Sequence, residues 1–322
     1  MSYNCIFVIG PTAVGKTAIG VRVADKFGGE IISADSRQVY KGLDIGSGKD
    51  LADYALNGKT VPYHLIDVCD LRREYNLFDF QEDFYKAFSD ISSRGKIPVC
   101  VGGTGMYLDS ILRGYDMIPF AEKEGERAEL EKKSEDELRR ILTEEKERLH
   151  NTSEFGGKER MIKSILINRF NMSEECRAAR ERLRASRPRI NPLVIGTTLD
   201  RALVRKRIEI RLSERMREGL IEEVENLHSH EKENGASWSR LEALGLEYRF
   251  VSGYLQGRYK SLEEMRGLLL IAIGQFAKRQ ETWFRCMEKK GIEIRWLPPV
   301  MSVEERFNAA CRIIEDRWFS KR

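Results

Sequence analysis

The first segment whose residues could do chemistry is glycine-rich and lies near the start of the chain, at Gly10-Pro-Thr-Ala-Val-Gly-Lys-Thr17. It matches the pattern GxxxxGK(S/T), in which glycines let backbone N–H groups converge on phosphate oxygens. The lysine of this pattern, Lys16, adds a positive charge, and the hydroxyl of Thr17 is a ligand for Mg²⁺. An apolar run (Cys5 to Val8) precedes the segment and a helical pattern follows from Ala18, as the motif requires. The segment therefore predicts a phosphorylated ligand at a helix N-terminus.

Two more polar segments follow strand-like runs. Ile31-Ile-Ser-Ala-Asp35-Ser-Arg-Gln38 ends a β-branched run in an acid, and Val99-Cys-Val-Gly-Gly-Thr-Gly105 ends another in glycines around Thr104. Ligands of open parallel sheets lie beyond the carboxyl ends of the strands, so Asp35 should face the same crevice as the phosphate loop. There its carboxylate could bind Mg²⁺, act as a general base or cap the next helix.

Three further patterns carry charge. His64-Leu-Ile-Asp67 is a short apolar run ending in an acid. This acid could hold the ligands of Mg²⁺ in place without binding the ion itself. Arg207 and Arg211 are four residues apart and share a helix face, which suits a diphosphate or, as an alternative, a solvated charged surface. Gln275 to Arg285 interleaves basic and aromatic residues, which suits RNA phosphates and stacked bases, although its aromatic side chains could equally belong to a core.

Short β-branched runs alternate with helical patterns, which predicts an α/β fold with a parallel sheet covered by helices on both faces. The predicted strands are Cys5–Ile9, Glu30–Ser33, His64–Val68, Ile97–Val101, Leu193–Thr197 and Ile292–Leu297. Residues 121–189 lack strand patterns and carry apolar residues at helical spacing, so we expect a helical insertion there. The core should then comprise residues 1–120 and 190–322.

Composition and charge bear on the partners and the compartment of the protein. The chain has 322 residues, 41% of them hydrophobic, and a formal net charge of +4, which is too balanced to indicate a nucleic-acid partner by itself. Positive charge is nevertheless local, because Lys158 to Arg215 contains sixteen Lys/Arg and seven Asp/Glu. The six cysteines and four histidines form no metal-ligand spacing, and no apolar run approaches the roughly 20 residues of a membrane span. Without a targeting pattern at its start, the chain is predicted to be a cytoplasmic protein with reduced thiols.

Together these segments resemble the motifs of the tRNA dimethylallyltransferases, also called tRNA isopentenyltransferases. The resemblance spans about residues 5 to 297. Its long motif at Ile32 to Gly46 is not a general feature of phosphate loops. It is carried by Gly10-Pro-Thr-Ala-Val-Gly-Lys-Thr17, Ile32-Ser-Ala-Asp-Ser-Arg-Gln-Val-Tyr-Lys-Gly-Leu-Asp-Ile-Gly46, His64-Leu-Ile-Asp67, Phe78-Asp-Phe-Gln81, Val101-Gly-Gly-Thr-Gly-Met-Tyr107 and Phe276-Ala-Lys-Arg-Gln-Glu-Thr-Trp-Phe-Arg285.

The resemblance implies a P-loop NTPase-like core and the transfer of a dimethylallyl group from its diphosphate to N6 of the adenosine 3′-adjacent to the anticodon (position 37). The implied catalytic residues are Asp35 as the base, Lys16, Thr17, Thr104 and Arg211, with Thr17 holding Mg²⁺. The implied diphosphate loop is Gly10, Pro11, Thr12, Ala13, Val14, Gly15, Lys16 and Thr17. The implied tRNA contacts are Asp35, Ser36, Arg37, Gln38, Thr104, Glu159, Arg160, Met161, Ile162, Lys163, Lys278, Arg279, Gln280, Trp283 and Arg285.

The same resemblance assigns the helical insertion to the anticodon stem. The protein is expected to be a monomer and to have no membrane partner. Departures from the family pattern concentrate in the half that would face RNA: Lys163 and Leu166 stand where arginine and glutamate are usual, and Ser213 where aspartate is common. Three alternatives remain: a P-loop kinase of small metabolites, a prenyltransferase that acts on free AMP, and an RNA-binding module without catalysis.

Overall fold

The computed structural model describes residues 3–56, 58–120, 122, 124–145, 155–299 and 302–319. The strands are β1 (Cys5–Ile9), β2 (Gly29–Ala34), β3 (Ala55–Leu56), β4 (Lys59–Thr60), β5 (Tyr63–His64), β6 (Ile97–Gly102), β7 (Pro192–Gly196) and β8 (Arg295–Trp296). The helices are α1 (Lys16–Phe27), α2 (Leu77–Ser93), α3 (Gly105–Leu112), α4 (Glu124–Glu131), α5 (Glu135–Glu145), α6 (Lys158–Met172), α7 (Glu174–Ser186), α8 (Arg201–Arg217), α9 (Leu220–Ser229), α10 (Trp238–Ala243), α11 (Leu246–Leu255), α12 (Leu262–Lys289) and α13 (Val303–Ile314).

A six-stranded parallel sheet forms the centre of the fold, in the order β5-β2-β6-β1-β7-β8. The predicted α/β class is therefore confirmed. In β1, Phe7 and Ile9 contribute to one buried apolar cluster while Ile6 and Val8 contribute to the other, because successive side chains of a strand point to opposite faces. Since all six strands are parallel, the loops that follow them meet at one edge of the sheet.

Two predicted strands are longer in the sequence pattern than in the structure. Of the predicted His64–Val68, only His64 lies in the strand that pairs with β2, which is β5 (Tyr63–His64). Leu65 and Asp67 have φ of 63° and 56°, and this left-handed backbone ends the extended conformation. The N–H of Asp67 instead donates to the carbonyl of Gln38 at 3.0 Å, so the segment continues against the loop after β2. The predicted Ile292–Leu297 likewise shortens to Arg295–Trp296.

Two compact units make up the chain, Met1–Gly114 with Pro188–Arg322, and Tyr115–Arg187. The second unit begins and ends a few residues before the predicted borders of the insertion. Its helices α4 to α6 share an apolar core that includes Leu138, Leu142, Met161 and Ile165. Ser134 caps α5: its Oγ accepts from the N–H of Glu137 at 3.3 Å, and the Glu137 carboxylate accepts from the N–H of Ser134 at 2.8 Å.

All six cysteines are free thiols, five of them buried and Cys286 exposed. Burial raises the pKa of the Cys5 thiol well above its ordinary value. No helix in the described ranges is both long enough and apolar enough to cross a membrane.

Candidate active site

The phosphate loop connects β1 to α1 and adopts a backbone that its glycines permit. Gly15 precedes α1 with φ of 81°, and a Cβ on Gly10 would lie 2.4 Å from the carbonyl oxygen of Thr197. Neither position accepts another residue without a change in the backbone. Ala13 also has a positive φ of 62°, which is unusual for a residue other than glycine, so surrounding contacts must hold it there.

A polar cleft lies at the carboxyl edge of the sheet and brings together residues from five segments of the chain. It is lined by Thr12, Lys16, Thr17, Asp35, Arg37, Gln38, Ser47, Gly48, Tyr54, Val101, Gly102, Arg211, Arg215, Phe276 and Gln280. The phosphate loop, the acid after β2 and an arginine of α8 therefore share one crevice.

Positive charge dominates this cleft. Burial lowers the pKa of Lys16 to about 8, against the opposing effect of the Asp35 carboxylate. The guanidinium groups of Arg211, Arg37 and Arg215 lower it further. Four cations thus lie near the phosphate loop, and Asp35 is the one carboxylate among the residues that line the cleft, an arrangement that favours a polyanionic ligand.

The loops after β2 and β6 are joined by hydrogen bonds beside Asp35. Oδ1 of Asp35 accepts from the N–H of Arg37 at 3.0 Å, leaving its other oxygen for a ligand. The Oγ1 of Thr104 accepts from the N–H of Ser36 at 3.0 Å, and the N–H of Thr104 donates to the carbonyl of Ala34 at 3.2 Å. Thr104 therefore fixes the loop that carries Asp35.

A buried ion triad holds Arg37 in place. The carboxylate of Glu247 in α11 is paired with Arg37 and also accepts from Nη1 of Arg215 in α8 at 3.1 Å. The Glu247 side chain is only 2% exposed. Burial acts to raise the pKa of Glu247, but the two guanidinium groups outweigh it and hold the pKa below its ordinary value. Sequence reasoning missed Glu247, because an acid within a helical pattern gives no sign of its partners.

The two arginines of α8 have different tasks. Nη2 of Arg211 donates to Asp50 at 2.5 Å and to the carbonyl of Gly48 at 3.4 Å, and Arg211 lines the cleft. Nε of Arg207 donates to the carbonyl of Ala13 at 2.7 Å, which helps to hold the positive φ of that residue. Arg211 is thus the member of the pair placed to meet a ligand, and Arg207 supports the loop.

Gln280 connects the phosphate loop to the glycine loop after β6. Its Oε1 accepts from the N–H of Thr12 at 2.8 Å, and its Nε2 donates to the carbonyl of Gly103 at 2.8 Å. One helical turn later, Trp283 lies so close to Gly105 that a Cβ there would be 2.4 Å from the indole. Both α12 residues therefore contact the glycine loop, and the glycines make this approach possible.

Exposed basic residues also lie on α12. Lys278, Arg279 and Arg285 are exposed, and a groove of about 610 Å³ contains the first two together with Trp283 and Lys290. This surface offers several cations and one aromatic ring.

In the second unit, the residues predicted to contact RNA differ in their burial. Arg160 and Lys163 are exposed on α6, whereas the side chains of Met161 and Ile162 are buried in the apolar core. Glu159 is exposed and pairs with Arg127 at 2.6 Å.

Asp67 is not among the residues that line the polar cleft. It forms an ion pair with Lys49, whose side chain is 2% exposed and also binds Asp44 at 2.6 Å. Among the described residues, no group of three or more His, Cys, Asp or Glu side chains could hold a metal ion.

Comparisons with known proteins identify the family of the chain. The family model described as IPP transferase matches residues 38–287, and the one described as isopentenyl transferase matches residues 3–63. The chain is 51% identical to tRNA dimethylallyltransferase 2 of Treponema denticola over 295 residues, which is 92% of this chain and 96% of the relative. It is 46% identical to tRNA dimethylallyltransferase 1 of Syntrophus aciditrophicus over 92% of this chain and 94% of that relative.

Two solved structures match almost the whole length of the chain. The tRNA isopentenylpyrophosphate transferase of Bacillus halodurans superposes with a TM-score of 0.68 at 28% identity and 99% coverage of both chains. A eukaryotic dimethylallyltransferase described as acting on tRNA has the same fold, with a TM-score of 0.75 at 21% identity, covering 100% of this chain and 80% of its own. The chain therefore belongs to the IPP transferase family, with a P-loop NTPase-like fold and with the tRNA dimethylallyltransferases as its relatives.

Proposed function

We propose that this protein transfers a dimethylallyl group from dimethylallyl diphosphate to N6 of the adenosine 3′-adjacent to the anticodon, position 37, of tRNA. The observation that carries the proposal is the shared cleft, in which Lys16, Thr17 and Arg211 lie with a single carboxylate, Asp35. A kinase could use the same phosphate loop. The exposed basic residues of α12, together with the buried contact of Gln280 with the glycine loop, fit an RNA substrate instead. The family relationship supports the same reaction.

The chemistry follows from the charges in the cleft. The allylic C–O bond breaks as the diphosphate leaves, and the phosphate loop, Lys16 and Arg211 stabilise the negative charge that develops on it. The lone pair of N6 forms the new C–N bond. Asp35 accepts the N6 proton as this bond forms, because N6 is a poor nucleophile while it keeps both protons. The products are N6-isopentenyladenosine and diphosphate.

Mg²⁺ fits the site through Thr17. This ion keeps several waters and takes few protein ligands when substrate phosphates supply the others, so one hydroxyl at the start of α1 is a suitable donor set. When bound, the ion neutralises charge on the leaving diphosphate. Ala13, Val14 and Gly15 of the loop would contribute backbone N–H groups, whereas Pro11 has none and the N–H of Thr12 already donates to Gln280.

The tRNA would be held by two sets of residues. Ser36, Arg37, Gln38 and Thr104 would contact the flipped adenosine and its neighbours beside Asp35. The exposed side chains of Arg160 and Lys163, and Lys278, Arg279, Trp283 and Arg285 on α12, would contact the RNA backbone and bases. Glu159 stays in the proposed contact region, Met161 and Ile162 support it from the core, and Gln280 supports it by joining the phosphate loop to the glycine loop. The protein would act as a monomer in the cytoplasm.

Transfer of label tests the proposal directly. Purified protein is incubated with labelled dimethylallyl diphosphate, Mg²⁺ and tRNA that lacks the modification, and nucleosides are analysed by mass spectrometry. We expect label in N6-isopentenyladenosine next to the anticodon, and none when AMP replaces the tRNA. Transfer to AMP, or phosphate transfer from ATP to a small acceptor, would instead establish one of the competing activities.

Asp35→Asn provides the residue-level test. Removal of the base should lower kcat by 10²-fold or more, in line with the usual contribution of general base catalysis, with little effect on diphosphate binding. The matched control is Asp25→Asn, an exposed acid of α1. Wild-type turnover by Asp35→Asn would show that the base lies elsewhere.

A further inference from the structure

The C-terminal helix reaches the phosphate loop through one arginine. Arg306, in the first turn of α13, is fully buried, with an exposed fraction of 0%. Its Nη1 donates to the carbonyl of Val14 and, at 2.8 Å, to Oγ1 of Thr197 at the end of β7. Residue 306 lies beyond both matched family segments, 3–63 and 38–287.

Helix α13 packs against α1. Ala309, Ala310 and Ile314 belong to the same buried cluster as Ile19 of α1, and Glu304 pairs with Arg22 at 2.6 Å. The position of Arg306 is therefore set by packing and by an ion pair, and its guanidinium is delivered to the loop from a fixed support.

The contact to Val14 acts on a peptide of the loop itself. Because a trans peptide is planar, its carbonyl and its N–H point in opposite directions, so Arg306 on the Val14 carbonyl directs the N–H of Gly15 away from itself. A charged donor on the carbonyl also polarises the peptide and makes that N–H a stronger donor. Arg207 does the same to the preceding peptide through Ala13.

The charge of Arg306 has no counter-ion in the described part of the chain. No carboxylate pairs with it there, and its Nη2 is buried without a hydrogen-bond partner among these residues. That nitrogen lies 3.5 Å from the position of a Cβ on Gly15, and Nη2 of Arg207 lies 3.7 Å from the same point. Two guanidinium groups thus converge behind the loop, an expensive arrangement unless an anion compensates it.

We propose that Arg306 is a positioning residue for the diphosphate: it fixes and polarises the Val14–Gly15 peptide, and its buried charge is balanced by the anion bound in the loop. This inference rests on the proposed function for the identity of the anion. It makes α13 part of the diphosphate site although no residue of this helix lines the polar cleft described above.

Titration calorimetry with inorganic pyrophosphate and Mg²⁺ measures the effect without any transfer reaction. Arg306→Met should raise the Kd at least tenfold, and Arg306→Lys, which keeps the charge, should recover part of the loss. Arg312→Met, an exposed arginine of the same helix, should stay within twofold of the wild type. In steady state, Arg306→Met should raise the KM for dimethylallyl diphosphate and leave the KM for tRNA within twofold, a split that general loosening of the fold would not give.

A folded Arg306→Met with a Kd within twofold of the wild type overturns the inference. If this variant fails to fold, Thr197→Val removes only the second contact of the guanidinium and should raise the Kd threefold to tenfold; an unchanged Kd then overturns it. A wild type that binds pyrophosphate but transfers no prenyl group refutes the proposed function, while the ratio of Kd values still tests Arg306. A wild type that does not bind pyrophosphate refutes both.

Discussion

Replacement of Gln280 by methionine should damage diphosphate binding rather than tRNA binding. The side chain makes two hydrogen bonds of 2.8 Å, both to backbone groups that shape the cleft, Thr12 N–H and the Gly103 carbonyl. Methionine keeps the volume and loses both bonds. Each backbone group left without a partner costs about 1–3 kcal/mol, and water can reach the partly buried Thr12 site. We therefore expect the free energy of unfolding to fall by about 2–4 kcal/mol, less than the sum of two full penalties.

Two readouts separate this role from RNA contact. The loss of stability should lower the melting temperature by roughly 4–16 °C for a unit of this size. The KM for dimethylallyl diphosphate should rise about tenfold, equivalent to about 1.4 kcal/mol of lost binding, while the KM for tRNA stays near its wild-type value. Gln280→Glu keeps the acceptor for Thr12 but sets a carboxylate oxygen against the Gly103 carbonyl, so its KM for the prenyl diphosphate should rise further.

Gln81→Met is the matched control, because Gln81 is a buried glutamine that donates to the carbonyl of Ser110 at 3.0 Å instead of contacting the phosphate loop. It should lower the melting temperature without changing either KM. If Gln280→Met raises the KM for tRNA but leaves the melting temperature and the KM for the prenyl diphosphate unchanged, Gln280 faces the RNA and the structural reasoning is wrong.

Two other predictions concern buried charge. Glu247→Gln leaves Arg37 and Arg215 without their shared carboxylate, so the free energy of unfolding should fall by about 3–5 kcal/mol, as measured by denaturant titration; a loss under about 1 kcal/mol would show that the pairs are solvated. The carboxylate of Glu30, bound by Arg94 and His64, has its pKa lowered to about 2. Since this folded-state pKa lies below the ordinary value, its stabilisation is present above about pH 4.5 and is lost as the pH falls towards 2. Glu30→Gln should therefore cost up to about 3 kcal/mol at pH 7 and much less near pH 2, and an equal cost at both pH values would exclude this origin.

The sequence predicted the parts of the fold whose signals are local. β1 is fully buried and β-branched, and its predicted bounds, Cys5–Ile9, agree with the structure. The segment His64–Val68 looked like a strand because it is apolar, but the left-handed backbone at Leu65 and Asp67 depends on hydrogen bonds to the loop after β2. Residue type at these positions gives no sign of that conformation.

The same limit applies to the site. The phosphate loop and Asp35 follow strands, so their shared cleft could be predicted from the parallel sheet alone. Glu247 and Arg306 could not, because each acts on a segment more than two hundred residues away, through a pairing that only the tertiary fold creates. Gln280 was predicted as an RNA contact from its basic neighbours, although the structure turns its side chain towards the glycine loop.

The single exposed thiol gives the protein a natural place for a reporter. Cys286 is exposed on α12 in the same groove as Lys278, Arg279 and Trp283, while the other five cysteines are buried. Burial protects those five from alkylation, because it blocks access to their sulfur atoms. A maleimide fluorophore added to the native protein should therefore label one position without mutagenesis. A change in its emission on addition of tRNA would follow binding at α12 in real time, independently of turnover.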